Sequence, residues 1–409
     1  MHPKLLLLTL NFPYPPGEEF LETEVVYLSA YFDIIIAPIN SHTEKAPRRS
    51  VPDDVVVWSN IISKSASGTA AWLLRHPQKA FSIFAMLFGS CGRVRCKLPL
   101  LWQLLRFTMG GQMLALTLAE KLELQQSIDV VYSYWLFSTA LAATLLKKEG
   151  LAKLSVARAH RGDLYHERSD LGLLPGQALA VENLDRIFCI SEHGLRYLRQ
   201  QYPSKREKFE LSRLGVLPAP SLNPLSQEDK LHLVSCSYLT SVKRVDLLID
   251  ALSICEFPVI WTHLGGGEDE AKLKSLAEKL PRHIEWHITG ILPNQDVLLF
   301  YQENPVDLFV NVSASEGLPV SIMEALSYGI PVAATDVGGV SEIIHADKNG
   351  YLWPVDVTID TIAATFHHFY RLDGTEKDAM RKAAWQTWHN FVNAEVQYPN
   401  FAHRILSLI

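Results

Sequence analysis

A chain of 409 residues is long enough for two or three domains, each with its own core. With 48% hydrophobic residues, 20% charged and a net charge of −6, it reads as an ordinary soluble α/β protein, for which nucleic acid is not the obvious partner. Five scattered cysteines (Cys91, Cys96, Cys189, Cys236, Cys255), odd in number and without CxxC spacing, point to a reducing compartment and argue against a metal site.

The opening MHPKLLLLTLNFPYPP is too short in its apolar run to span a membrane. It reads as a first buried strand, Lys4 to Leu10, rather than as a signal peptide. A loop with Gly17 follows, then a helix through Glu22, Glu24 and Tyr27. Glycine between a first strand and a first helix lets backbone approach a ligand. Asp33 to Pro38 and Val55 to Trp58 read as further strands.

From Val55 to Ala119 there is no acidic residue. The window holds Lys64, Arg75, Lys79, Arg93, Arg95, Lys97 and Arg106, interleaved with Trp72, Phe81, Phe84, Phe88, Trp102 and Phe107. Such a basic and aromatic helical region, 60–119, suits a surface resting on anionic lipid. It equally suits an amphipathic helix pair packed on the domain, and both can hold at once.

Ile128 to Ser133 is a buried strand, Ser138 to Lys148 a helix, and Leu154 to Ala159 a strand that ends at His160. Ligand sites of open α/β sheets lie at the carboxyl ends of strands, so His160 is a functional candidate. Asp163 is a second, with capping of the turn as its alternative role. Ile187 to Ser191 is a strand whose Ser191 caps the next helix. Leu217 to Ser221 has linker composition.

The second half opens on the strand Leu231 to Ser237. Lys243 and Arg244 then stand at the start of a helix, Val245 to Ser253, where the dipole disfavours cations and a bound anion would resolve the conflict. The strand Val259 to Leu264 leads into Gly265-Gly266-Gly267, and Ile284 to Ile288 into Thr289-Gly290-Ile291. Asp307 to Ser313 reads as a strand and Pro319 to Tyr328 as a helix, stopped by Gly329 and Pro331. Glu316 lies in the loop between them and Glu324 about two turns further on. The helix start, Gly317-Leu318-Pro319-Val320, offers backbone amides to phosphate. Asp336-Val337-Gly338-Gly339 makes a second anion nest. Carboxylates beside phosphate make sense if they accept hydrogen bonds from sugar hydroxyls, which describes a nucleotide-sugar site. Thr375 to Ser407 reads as helical.

Glu316 and Glu324 with seven residues between them, then Gly338-Gly339 and Asn349-Gly350, closely resemble the signature of the retaining glycosyltransferases of family four, the glycosyl transferases group 1, of bacterial surface-polysaccharide type. The resemblance implies an α/β protein of GT-B fold: two Rossmann-like domains facing a central cleft, with C-terminal helices crossing back to the first. The expected domains are 1–216 for the acceptor, 217–385 for the nucleotide sugar, and 386–409 packing on the first. Carried over by position, Lys243 with its neighbour Arg244 grips the donor diphosphate, Glu316 holds donor-sugar hydroxyls, and Glu324 holds the ribose. His160 lies near the transferred sugar, Gly17 borders the diphosphate and acceptor, and the backbone of Ile291 meets the nucleobase. Two departures stand out. Tyr238 occupies a position where many members have arginine, and the first loop has a single glycine followed by Glu18-Glu19.

The implied reaction moves a sugar with retained configuration from a UDP- or GDP-sugar to an acceptor hydroxyl, with no cofactor and no metal required. The basic region favours a lipid-linked acceptor in lipopolysaccharide, capsule or exopolysaccharide assembly, at the inner face of the cytoplasmic membrane. The alternatives are a protein or small-molecule acceptor, or a non-catalytic nucleotide-sugar-binding protein.

Overall fold

The computed structural model describes residues 2–40, 48–58, 61, 74–78, 98–123, 128–169, 172, 174, 176–226 and 228–409. The chain forms two compact units, Met1–Ser212 with Tyr398–Ile409, and Arg213–Gln397. The change of unit thus falls at 212/213, where 216/217 is expected, and the returning segment starts at Tyr398, where 386 is expected.

The first unit is built on a parallel sheet of seven strands. They are β1 (Lys4–Thr9), β2 (Asp33–Pro38), β3 (Val56–Val57), β4 (Ile128–Ser133), β5 (Ala152–Ala159), β6 (Arg186–Cys189) and β7 (Phe209–Leu211), in the order β3-β2-β1-β4-β5-β6-β7. The central β1 explains the continuous apolar run at the start of the chain: Leu5 to Leu8 are all fully buried, as a strand covered on both faces requires. Alternation sends Leu6 and Leu8 into one core and Leu5 and Leu7 into the other. Leu114, Leu118 and Leu122 of the helix Leu98–Glu123 join the first core, together with Leu141, Leu145 and Leu146 of the helix Ser138–Lys148. The second core holds the helix Leu21–Ser29 and, from the end of the chain, Phe401, Ala402 and Ile405.

Most of the basic and aromatic window (Lys64, Trp72, Lys79, Phe81, Phe84, Phe88, Arg93, Arg95 and Lys97) lies outside the described residues. What is described has the packed face of an amphipathic helix, and its first turns also expose Leu98 (82%) and Trp102 (61%). No described helix is long and apolar enough to cross a membrane.

The second unit has six parallel strands in the order β10-β9-β8-β11-β12-β13. They are β8 (Leu231–Cys236), β9 (Val259–Leu264), β10 (Ile284–Ile288), β11 (Leu308–Asn311), β12 (Val332–Thr335) and β13 (Gly350–Trp353). This is a Rossmann-like order, with its switch point between β8 and β11. Sequence reasoning reads the start of β13 only as the Asn349-Gly350 element of the signature, not as a strand. The C-terminal run, expected as one helical stretch, is two helices, Gly374–Phe391 and Ala394–Leu406. Asn393 causes the break, because its side chain accepts the Glu395 N–H at 2.9 Å and caps the second helix.

An ion pair with no exposed surface lies in the first unit. Arg158 Nη2 and Glu24 Oε1 are 3.3 Å apart, and the Tyr132 hydroxyl bonds both, accepting from Arg158 Nε and donating to Glu24 Oε1 at 2.9 Å each. The guanidinium sits 4.2 Å from the Phe401 ring centre. Removing one partner leaves the other charge buried and uncompensated. Glu24→Ala is therefore expected to destabilise the first unit by about 3–5 kcal/mol. Urea unfolding followed by fluorescence checks this, and an unchanged midpoint contradicts it.

Candidate active site

The loop from Val312 to Pro319 joins β11 to the helix Val320–Ser327 and carries Glu316. It is tied down from three sides. The Ala314 N–H donates to the Val242 carbonyl at 2.8 Å, and Thr335 Oγ1 donates to the Ser313 carbonyl at 2.6 Å. The turn after β12 packs directly beneath it. Gly338 has φ +61, and a Cβ there would stand 2.0 Å from the Glu316 carbonyl oxygen, so only glycine fits. Gly339 N–H donates to the Gly317 carbonyl at 2.7 Å. The Gly-Gly element, read from sequence as an anion nest, thus also braces the Glu316 loop.

Arg244, expected beside Lys243 as a diphosphate-gripping cation, also ties this loop. Its guanidinium donates to the carbonyls of Val312 (2.7 Å), Val355 (2.6 Å) and Ser313 (3.4 Å). With those bonds made, Arg244 is a buttress for the loop. Its backbone takes φ +49, which turns the chain from the short helix Ser241–Lys243 into the helix Val245–Ser253. Its neighbour Lys243 points the other way. Lys243 Nζ meets Glu316 Oε1 at 2.6 Å, and the two side chains are 20% and 7% exposed. Asn311 Nδ2 reaches the same oxygen at 3.4 Å.

Pro319 stands at the N-cap, one residue before the helix it was expected to open, and its carbonyl accepts from Ile322 and Met323. The first two amides, Val320 and Ser321, precede any intrahelical bond, so this end is a place for an anion. Glu324 lies further along that helix, buried, with Oε1 accepting from Asn294 Nδ2 at 2.7 Å. Burial raises its carboxyl to about 7, and the Asn294 bond only partly opposes this. Cys236, at the end of β8, is pushed up to about 12 by burial and by the Glu324 charge, while Lys243 pulls it down.

Ile291 is 72% exposed in the loop between β10 and the helix Asn294–Glu303, beside Gly290 at φ +76. Behind it, the fully buried His263 bridges Ser235 Oγ (2.8 Å) and the Ser237 carbonyl (3.1 Å). Burial lowers its imidazole to about 4, so it is neutral: Nε2–H donates to the carbonyl, and Nδ1 accepts from the serine. His263 is a scaffold residue that links the ends of β8 and β9.

In the first unit His160 follows β5. It is buried, and neither ring nitrogen has a hydrogen-bond partner among the described residues. Burial, helped by the Arg158 charge, holds its pKa well below the usual histidine range. Asp163 proves to be the turn cap: Oδ1 accepts from His160 N–H and Oδ2 from Leu136 N–H, each at 2.7 Å. It is 1% exposed. Gly17 has its backbone occupied too. Its N–H donates to Glu19 Oε1 (3.1 Å) and its carbonyl accepts from Arg49 (2.8 Å), so the amide is not presented to a phosphate.

The structure therefore gathers Lys243, Glu316, Gly317, Leu318, Pro319, Val320 and Glu324 in the second unit. Sequence reasoning missed Asn294, Asn311 and His263, whose roles rest on contacts between strand ends far apart in the chain.

Residues 223–386 match the family model of the glycosyl transferases group 1. That stretch belongs to this family. The O-antigen biosynthesis glycosyltransferase WbnH of Escherichia coli is 33% identical to the chain over 190 residues, which are 46% of this chain and 50% of that protein. The chain thus spans about half the length of this curated relative. Among solved structures, the lipopolysaccharide outer core galactosyltransferase WaaB superposes with a TM-score of 0.69 at 16% identity, covering 99% of this chain and 100% of that one. HepE of Anabaena, in complex with UDP and glucose, gives 0.66 at 16% identity with the same coverage. The fold is GT-B.

Because burial raises Glu324 above its ordinary 4.5 to about 7, the folded state resists ionising it. Its contribution to stability falls as pH rises from about 4.5 to about 7 and is level above. Glu324→Gln is expected to raise the melting temperature at about pH 8 and to leave it nearly unchanged at about pH 4, where both states are protonated. Thermal unfolding at the two pH values checks this. An equal shift at both places the effect elsewhere.

Proposed function

We propose that the chain is a retaining glycosyltransferase that moves a sugar from a nucleoside diphosphate sugar to an acceptor hydroxyl. The observation that carries this reading is the Lys243–Glu316 pair at 2.6 Å, set between a helix amino end and a glycine turn that admits no side chain. A cation and a carboxylate paired in this way are interchangeable with ligand groups. The donor diphosphate takes over Lys243, and the released Glu316 turns to the hydroxyls of the donor sugar. Charge builds on the departing diphosphate in the transition state, so a fixed ammonium and helix amides there lower the barrier. Glu324, ionised, accepts from the ribose hydroxyls. The exposed Ile291 loop carries backbone groups for the nucleobase. His160 supplies a neutral imidazole for the sugar.

For the acceptor, the exposed Leu98 and Trp102 support a lipid-linked glycan met at an anionic membrane face, in assembly of a surface polysaccharide. The relatives' names, O-antigen and lipopolysaccharide transferases, support the same class.

Thermal stabilisation by a panel of nucleotides tests the site. UDP or GDP is expected to raise the melting temperature by several degrees, and Lys243→Ala to abolish the shift. No shift with any nucleotide, with or without anionic vesicles, contradicts the reading.

A further inference from the structure

The loop after β1 is organised by one carboxylate. Glu18 is 3% exposed and takes φ +59, a conformation that few side-chain-bearing residues adopt. Its Oε1 accepts from the Leu10 N–H (2.9 Å) and from the Trp135 indole N–H (2.6 Å). Its Oε2 accepts from Asn11 (2.6 Å) and Phe12 (2.7 Å). A carboxylate has about four acceptor positions, and here four donors fill them. No neutral side chain does this: a glutamine would turn an NH₂ toward N–H groups.

Three of those donors are backbone and shape the loop. The fourth reaches a different element. Trp135, just past β4, packs its ring 4.5 Å from the His160 ring at 47°, and Tyr134 packs on His160 at 4.5 Å and 43°. The His160 backbone is fixed by Asp163, but among the described residues its ring has no hydrogen bond to set its rotation. Two aromatic walls do that. Tyr134 is fully buried and cannot shift, whereas Trp135 is only partly buried. The Trp135 ring also stacks on Phe137 at 5.8 Å and 22°, but its indole N–H is tied to Glu18, and that bond sets which way the indole edge faces.

We propose that Glu18 is a positioning residue for His160, acting through Trp135. For its kinetic arm the inference rests on the transferase reading. A misaligned group at a reacting centre costs rate while leaving donor binding intact.

The test uses the full chain with histidines carbon-13 labelled at Cε1, as wild type, Glu18→Gln and Trp135→Phe. The His160 signal is assigned by its loss in His160→Gln and is displaced upfield by the ring currents of Tyr134 and Trp135. Both variants are expected to move that signal toward an ordinary histidine position. Both are expected to lower kcat roughly 10-fold or more while the Kd for UDP or GDP, by calorimetry, stays within about twofold. Combined with His160→Gln, neither is expected to lower kcat further, as groups acting as a unit require. An unmoved signal, or unchanged kcat in variants whose signal has moved, overturns the proposal. Trp135→Phe keeps a ring and carries the test alone if Glu18→Gln does not fold. Should wild type transfer no sugar at all, the transferase reading fails, and the resonance alone decides whether Glu18 orients His160.

Discussion

The contact between Lys243 and Glu316 is the point at which the second unit's architecture converges. Parallel strands covered on both faces must bury their flanks and release their loops at the carboxyl ends. β8 therefore delivers Lys243 and β11 delivers Glu316 to the same edge of the sheet. Everything else nearby restricts that pair. Arg244 and Thr335 hold the preceding carbonyls, Gly338 leaves room only for the Glu316 carbonyl, and Asn311 approaches the carboxylate from the strand below. A partly buried ion pair contributes little to net stability once desolvation is counted. Such expense of scaffolding around it fits a site better than it fits a stabilising element.

The fold was largely legible in the sequence because its signals are local. Unbroken apolar runs such as Leu5 to Leu8, bounded by turn residues, mark strands buried on both faces, and their alternation with amphipathic helices marks a doubly wound sheet. The pattern around Glu316, Glu324 and Gly338-Gly339 was legible for the same reason, since forty contiguous residues carry it. What was not legible depends on contacts across the chain. Adjacent cations look alike in sequence, yet Lys243 faces Glu316 while Arg244 turns to three carbonyls, because a left-handed residue separates their directions.

The same limit separates Asp163 and Gly17 from His160. All three lie after strand ends, where ligands are expected. Asp163 is consumed by two amides, and Gly17 by Glu19 and Arg49. Of the three, only His160 keeps buried side-chain nitrogens without partners among the described residues, a condition that costs free energy if they stay unmet. Glu18, which as a charge beside a presumed phosphate loop looks unfavourable, faces inward and is satisfied by N–H groups instead.

The first unit's core includes Phe401, Ala402 and Ile405, separated from the rest of that unit by the entire second unit. On a ribosome the amino-terminal sheet therefore emerges long before its last wall. Until residue 401 is made, the guanidinium of Arg158 lacks the aromatic face that covers it. Amino-terminal domains generally fold first during synthesis. Here that order cannot run to completion, and the nascent first unit waits, with an apolar face uncovered, until residues 401–405 have followed the second unit.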